Sequence, residues 1–142
     1  MSGSESDFVF TDNLSARQRT QLVTLYQGEW WTRDRTADDV EQMLKQSLVF
    51  AFIKESTNDL AAFARVLTDG VFKALLFDVI VAPEFRGSGL GGRLMQRIVD
   101  DSRLSRVRHL ELYCLPELVS FYERMHFTAS VAGVTLMRRT NW

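Results

Sequence analysis

The stretch that most restricts this chain is a strand candidate at residues 71–81 running into Ala82-Pro83-Glu84-Phe85, a glycine-dense run at residues 86–92 (Arg-Gly-Ser-Gly-Leu-Gly-Gly), and a helix candidate at residues 90–103. In that helix Leu90, Leu94 and Ile98 share one face, with Met95 and Val99 beside them, and Arg93, Arg97, Asp100 and Asp101 fall on the solvated side. Glycines at 87, 89, 91 and 92 are unfavourable where a helix begins, at about 1 kcal/mol per internal glycine relative to alanine. They make either a tight strand-to-helix turn or a bare backbone whose N–H groups meet an anion at the positive end of a helix. Four of them beside Arg86 favour the anion.

Around this segment the pattern is consistent. Residues 48–53 and 60–67 are further strand candidates, with turns at Asn58-Asp59 and Asp69-Gly70; the Asp-Gly pair predicts a two-residue hairpin. Upstream, residues 8–10 suit a short strand. Ser15 caps a helix over residues 16–26, and Thr36, with Asp39 three residues on, opens a helix to about Gln46. Downstream come a strand at 109–114, a helix at 116–125, and terminal strands at 127–130 and 134–138. A right-handed crossover from the 71–81 strand to the 109–114 strand makes that pair parallel. The expectation is an α/β (α+β) fold, a mixed, mostly antiparallel twisted sheet with helices on both faces, in one domain spanning residues 1–142 whose first six residues are disordered.

Charge and composition exclude several partners. Seventeen basic residues against eighteen acidic leave a net charge of −1, so there is no global field to hold nucleic acid or an anionic membrane. Cys114 is the single cysteine, and His109 and His126 lack metal-ligand spacing, so no metal is expected. The acidic N-terminal residues are unlike a signal peptide, and apolar runs fall short of the ~20 residues that span a bilayer. A reduced, cytoplasmic setting is the expectation.

The anion site is not a Walker loop, which needs a terminal Gly-Lys-Ser/Thr. Gly87-x-Gly89-x-x-Gly92, with Glu111 further on, has the form of a dinucleotide fingerprint, but residues 83–86 separate strand from glycines and too little chain follows for a second half. Residues 79–94, Val-Ile-Val-Ala-Pro-Glu-Phe-Arg-Gly-Ser-Gly-Leu-Gly-Gly-Arg-Leu, instead resemble the signature of the GNAT superfamily of acyl-CoA N-acyltransferases. That signature is Arg/Gln-x-x-Gly-x-Gly/Ala after an apolar strand ending Val-x-Pro-Glu-aromatic. Residues 121–127, Phe-Tyr-Glu-Arg-Met-His-Phe, are similar to the family's second conserved segment. With the element order, the resemblance extends over almost the whole chain.

It implies a GNAT-like sheet with one splayed parallel pair, and an N-acetyltransferase that moves acetyl from acetyl-CoA to a primary amine of a small molecule or peptide by direct attack. A non-catalytic acyl-CoA-binding or sensing module is the rival reading. The backbone of Arg86, Gly87, Ser88, Gly89, Leu90, Gly91 and Gly92 would take the pyrophosphate, and Val79, Ile80 and Val81 would line the pantetheine in the splay. Tyr122 would protonate the leaving thiolate, although by its residue type alone it suits an aromatic core. Asp78, a carboxylate inside an apolar strand, is either a general base or part of an ion network with Arg65, several residues away on the same face. Glu29 is a second candidate base. Trp30, Trp31, Arg33 and Arg35 stand where the family places its acceptor loop, making Trp31 a substrate-binding candidate, and Arg65, on the face it shares with Asp78, is another. Leu115 and Leu118 depart from positions where relatives often carry asparagine and a small residue, and His126 replaces a glycine suited to a left-handed helix end, a conformation histidine adopts more readily than most, which leaves the cap open but not the fold. Cys114 is either an acetyl acceptor in a ping-pong scheme or a buried strand cysteine. Relatives are often dimers, so a homodimer is possible.

Overall fold

The computed structural model describes residues 7–141; the leader expected to be disordered, residues 1–6, lies outside them. The elements are β1 (Phe8–Thr11), α1 (Ala16–Gln27), α2 (Ala37–Lys45), β2 (Leu48–Lys54), β3 (Asp59–Thr68), β4 (Lys73–Val81), α3 (Leu90–Val99), β5 (His109–Leu112) and α4 (Val119–Glu123). One sheet runs in the order β1-β2-β3-β4-β5, antiparallel throughout except for the parallel pair β4–β5.

Local chemistry accounts for the helix starts. The Ser15 hydroxyl accepts from the Gln18 N–H while the Gln18 side chain accepts from the Ser15 N–H, and Thr36 and Asp39 repeat the arrangement at α2. The central strands carry near-continuous apolar runs because both sheet faces are covered. On one face Leu22 and Tyr26 of α1 and Val40 of α2 pack with Val49, Ala51, Ile53, Phe63 and Ile80. On the other, Leu90, Leu94, Met95 and Ile98 of α3 and Tyr122 of α4 pack with Phe50, Phe52, Ala62, Ala64, Val66 and Leu76. β4 belongs to both cores.

The structure corrects several boundaries. α3 stops at Val99 rather than reaching Arg103, because the Asp101 carboxylate accepts from the Arg103 N–H at 2.8 Å and from its guanidinium at 2.9 and 3.0 Å, starting a 3-10 turn at Ser102–Leu104. Asp101 is therefore buried, not solvated. Asp69-Gly70 is not a two-residue turn. Four residues, 69–72, join β3 to β4, held by Asp69 Oδ1 accepting from the N–H groups of Val71 and Phe72 at 2.8 Å each. β5 ends at Leu112, and a 3-10 turn at Pro116–Leu118 precedes α4.

The terminal strands expected at 127–130 and 134–138 do not form: none of residues 127–141 joins the sheet, and Val134, Leu136 and Met137 are exposed. Local β propensity reports fit to a pleated surface and supplies no partner edge. His126 does adopt the left-handed conformation, at φ 70°, and the Phe127 N–H closes the helix end on the Tyr122 carbonyl at 3.2 Å.

Candidate active site

The site begins with an irregularity in β4. Its register with β3 passes from Arg65↔Phe77 to Phe63↔Ile80, so three steps of β4 oppose two of β3 and one extra residue bulges at Asp78-Val79. Asp78 takes φ 59°, a left-handed conformation uncommon for a side-chain-bearing residue, and its carboxylate swings to the α1/α2 face. On its other edge β4 pairs with β5 only from Lys73↔His109 to Leu76↔Leu112. Phe77 to Val81 continue without a β5 partner, leaving a gap bordered by Val79, Ile80 and Val81, with Val79 and Val81 half-buried and Ile80 buried.

Beyond β4, a 3-10 turn at Pro83–Phe85 leads into the glycines. Gly87 and Gly89 each sit at φ 81°, where other residues are strained. Gly89 is the N-cap of α3 and supplies no side-chain cap, so the first N–H groups of the helix are left to an external acceptor. A Cβ at Gly87, Gly89 or Gly92 would meet nothing within 4 Å, whereas one at Gly91 would touch Val81 and Phe121 at 3.7 and 3.8 Å. Those are ordinary van der Waals distances, so neither Gly91 nor Gly92 is required by conformation or by packing. Arg86 and Ser88 brace the loop: Ser88 Oγ donates to the Phe85 carbonyl at 2.6 Å, Arg86 Nε to the Val81 carbonyl at 3.0 Å, and Arg86 Nη2 to Glu29 at 3.1 Å. The residues predicted to hold an anion offer it backbone rather than side chains.

Tyr122 stands on α4 between Phe121 and Phe127, with ring centroids at 5.0 and 5.9 Å. Its hydroxyl has no hydrogen-bond partner among the described residues, and no fully buried side-chain oxygen is left unpaired, so it reaches solvent. Burial, and then the neighbouring Cys114, push its pKa up to about 12, which keeps it a proton donor across the physiological range. Cys114 lies just past β5, half-buried, its thiol pKa raised by burial and by Glu117; that disfavours the nucleophilic thiolate.

Across β4, Asp78 Oδ2 accepts from Arg35 Nη1 at 2.5 Å, Arg65 Nε at 2.7 Å and the Tyr26 hydroxyl at 3.0 Å. Burial alone would raise the Asp78 pKa, but the hydrogen bonds from Arg35 and Arg65 outweigh it and hold the carboxyl below its ordinary range. Burial first, then Asp78, raises the Tyr26 pKa, so that phenol stays neutral. The sequence expectation that Arg65 lies several residues from Asp78 is corrected: the four-residue loop and the bulge place the two in contact. Arg35 and Tyr26, 43 and 52 residues before Asp78, are the partners that sequence reasoning missed. Trp30 and Trp31 are exposed, and Thr32 is the buried residue of their loop, its hydroxyl donating to the Tyr26 carbonyl at 2.7 Å. A cavity of about 460 Å³ lies between α1 and the end of β4, lined by Gln21, Gly28, Glu29, Ile80, Ala82 and Arg86 among others. It adjoins the gap without being the gap. Among the described residues no three His, Cys, Asp or Glu side chains gather as metal ligands, and no helix is long and apolar enough to cross a membrane.

Comparison with known proteins identifies the family and agrees with the fold. The profile of the acetyltransferase (GNAT) family matches residues 15–127. A chloroplastic GCN5-related N-acetyltransferase from Arabidopsis thaliana is 31% identical over 115 residues, covering 80% of this chain and 58% of that protein. A chloroplastic serotonin N-acetyltransferase from Oryza sativa is 46% identical over 66 residues, which is 46% of this chain and 33% of the rice protein. The chain therefore spans a little over half, or less, of these two relatives. A crystal structure assigned to the GNAT family from Xanthomonas campestris superposes with a TM-score of 0.80 at 28% identity, covering 94% of this chain and 92% of that one.

Proposed function

This chain belongs to the GNAT acetyltransferase family, and from that premise we propose that it transfers an acetyl group from acetyl-CoA to a primary amine by direct attack. One observation carries the reading: β4 parts from β5 after Leu76, and the same strand then delivers the chain to an uncapped helix N-terminus. That arrangement offers an unpaired strand edge and an anion site at opposite ends of one short path. Acetyl-CoA would supply the activated acyl thioester.

The chain's own residues then divide the work. Backbone N–H groups of residues 86–92 hold the pyrophosphate, aided by a helix-end charge of roughly +0.5. The edge of Val79, Ile80 and Val81 takes the pantetheine as an added strand. A backbone N–H there stabilises charge on the carbonyl oxygen as the amine attacks. Tyr122, a phenol whose hydroxyl has no partner among the described residues, protonates the departing thiolate.

Asp78, with three donors on one oxygen and a depressed pKa, is a poor base; in this reading it holds Arg35 and Arg65 in place, and the amine loses its proton to water. The raised thiol pKa of Cys114 favours direct attack over an acetyl-cysteine. The reading is tested by mixing the protein with acetyl-CoA and a panel of amines that includes arylalkylamines, as the rice relative's name suggests, and following thiol release. Release that depends on the amine supports the enzyme. Tight CoA binding with no release on any amine would instead mark a sensing module.

A further inference from the structure

We propose that Arg65 and Arg35 form a receptor for a carboxylate on the acceptor, so that the preferred amine is a small one that also carries a carboxylate, such as an α-amino acid. The inference rests on the acetyltransferase reading and adds a substrate class to it.

Four side chains meet at the cluster, and their charges do not cancel. Arg35 and Arg65 are cations, Asp78 is the one carboxylate they contact, and Tyr26 is neutral. Of the other acids on the loop between α1 and α2, Glu29 is turned to Arg86 and Asp34 is exposed. The cluster carries one more positive charge than negative, in a place where the Arg65 and Arg35 side chains are only 13% and 28% exposed.

The unused donors point the same way. Arg65 commits Nε to Asp78, and its two terminal nitrogens have no hydrogen-bond partner among the described residues. No fully buried side-chain nitrogen is left unpaired, so those nitrogens reach solvent. Arg35 uses Nη1 on Asp78 and on Met43 Sδ and lies 4.7 Å over the Tyr26 ring, so it is the more committed of the two guanidiniums. A guanidinium largely withdrawn from water, with a planar pair of donors still unmade, suits a bidentate carboxylate.

Position supplies the rest. Arg65 faces Phe77, the residue at which β4 has left β5 and immediately before the bulge. Its guanidinium lies 4.7 Å from the Phe77 ring centroid, and Phe77 meets the half-exposed Tyr113 edge-on at 5.8 Å. A cation and two aromatic rings thus border the mouth of the gap on the α1/α2 side. An amine without a carboxylate would bring a like charge to this cluster; an amino acid would balance it while its side chain packs on the rings.

Matched acceptor pairs test this: phenylalanine against phenethylamine, and tryptophan against tryptamine, compared by kcat/KM in thiol release. The carboxylate-bearing member of each pair should be favoured by about tenfold or more, the range of a charge-assisted hydrogen bond. Arg65→Gln should bring the ratio close to one and Arg65→Lys should retain part of it, with CoA affinity unchanged in both as the check of folding. A second measurement needs no turnover: N-acetylphenylalanine should bind the CoA-saturated wild-type protein more tightly than N-acetylphenethylamine. Equal handling of the pairs, or preference for the amine lacking the carboxylate, overturns the receptor and leaves the acetyltransferase intact. No thiol release from any amine, with the preference for N-acetylphenylalanine preserved, keeps the receptor and removes the acetyltransferase.

Discussion

On the α3 side of β4 the groups proposed to hold the donor are almost all backbone: two glycines at φ 81°, an uncapped helix start and a strand edge with no neighbour. On the α1/α2 side they are side chains, one neutral phenol from α1 and charged groups from the loop after it, β3 and β4, all meeting on one oxygen of Asp78. Backbone groups recognise what every donor of one class shares, an extended arm and a phosphate, and tolerate variation in the side chains around them. Side chains recognise what distinguishes one acceptor from another. The bulge at Asp78-Val79 serves both regions, because the extra residue that turns Asp78 toward α1 lies in the stretch of β4 that has left β5.

The sharpest test of that division is the one side chain assigned work on the donor side. Tyr122→Phe should lower kcat by roughly 10²- to 10⁴-fold, the usual contribution of a positioned proton donor, while calorimetric CoA affinity stays unchanged. An unaltered kcat would make the donor side backbone throughout.

Asp78→Asn probes the other side. It leaves Arg35 and Arg65 without their anion, and loss of one partner from a buried charge network costs about 3–5 kcal/mol, readable by urea unfolding. The same variant fixes a pH dependence. Asp78 is held below its ordinary pKa of 3.8, so its contribution is present above that value and lost as pH falls through the lower folded value, where the unfolded chain binds the proton first. Wild-type stability should therefore fall more steeply below about pH 4 than that of Asp78→Asn. Parallel slopes would show that the cluster is not what acid breaks.

Gly92→Ala has the smallest expected effect on the fold. Its φ is not positive and its Cβ would meet nothing within 4 Å, so the helix should gain up to ~1 kcal/mol from the substitution. If backbone at this position approaches the pyrophosphate, CoA affinity should nonetheless fall. Unchanged affinity would confine the anion contact to Gly87 and Gly89.

How much of this was legible beforehand follows the same division. Ser15 and Thr36 were readable because a helix cap is settled within a few residues, whereas the left-handed conformation of His126 was left open until the structure showed it. The glycine loop was readable for the same reason, and the GNAT resemblance rested on it and on the Tyr122 segment. Asp78 stood out as a carboxylate in an apolar strand and was read as either a general base or an ion-network partner of Arg65. Its pairing with Arg65 was misplaced because an Asp-Gly pair suggested a shorter turn than the four residues present. The terminal strands failed because composition alone does not create pairing, and none of residues 127–141 joins an edge of the sheet.

Sequence alone determined the element order as far as α4, the helix starts at Ser15 and Thr36, the glycine-rich turn into α3 and the family to which the chain belongs. Each depends on local conformation, which neighbouring residues dictate. Only the tertiary structure decided where β4 leaves β5, which face Asp78 takes, and that Tyr26, Arg35 and Arg65 converge on it. Those outcomes depend on strand register, and a four-residue loop with one bulged residue moves every side chain beyond it to a different neighbour.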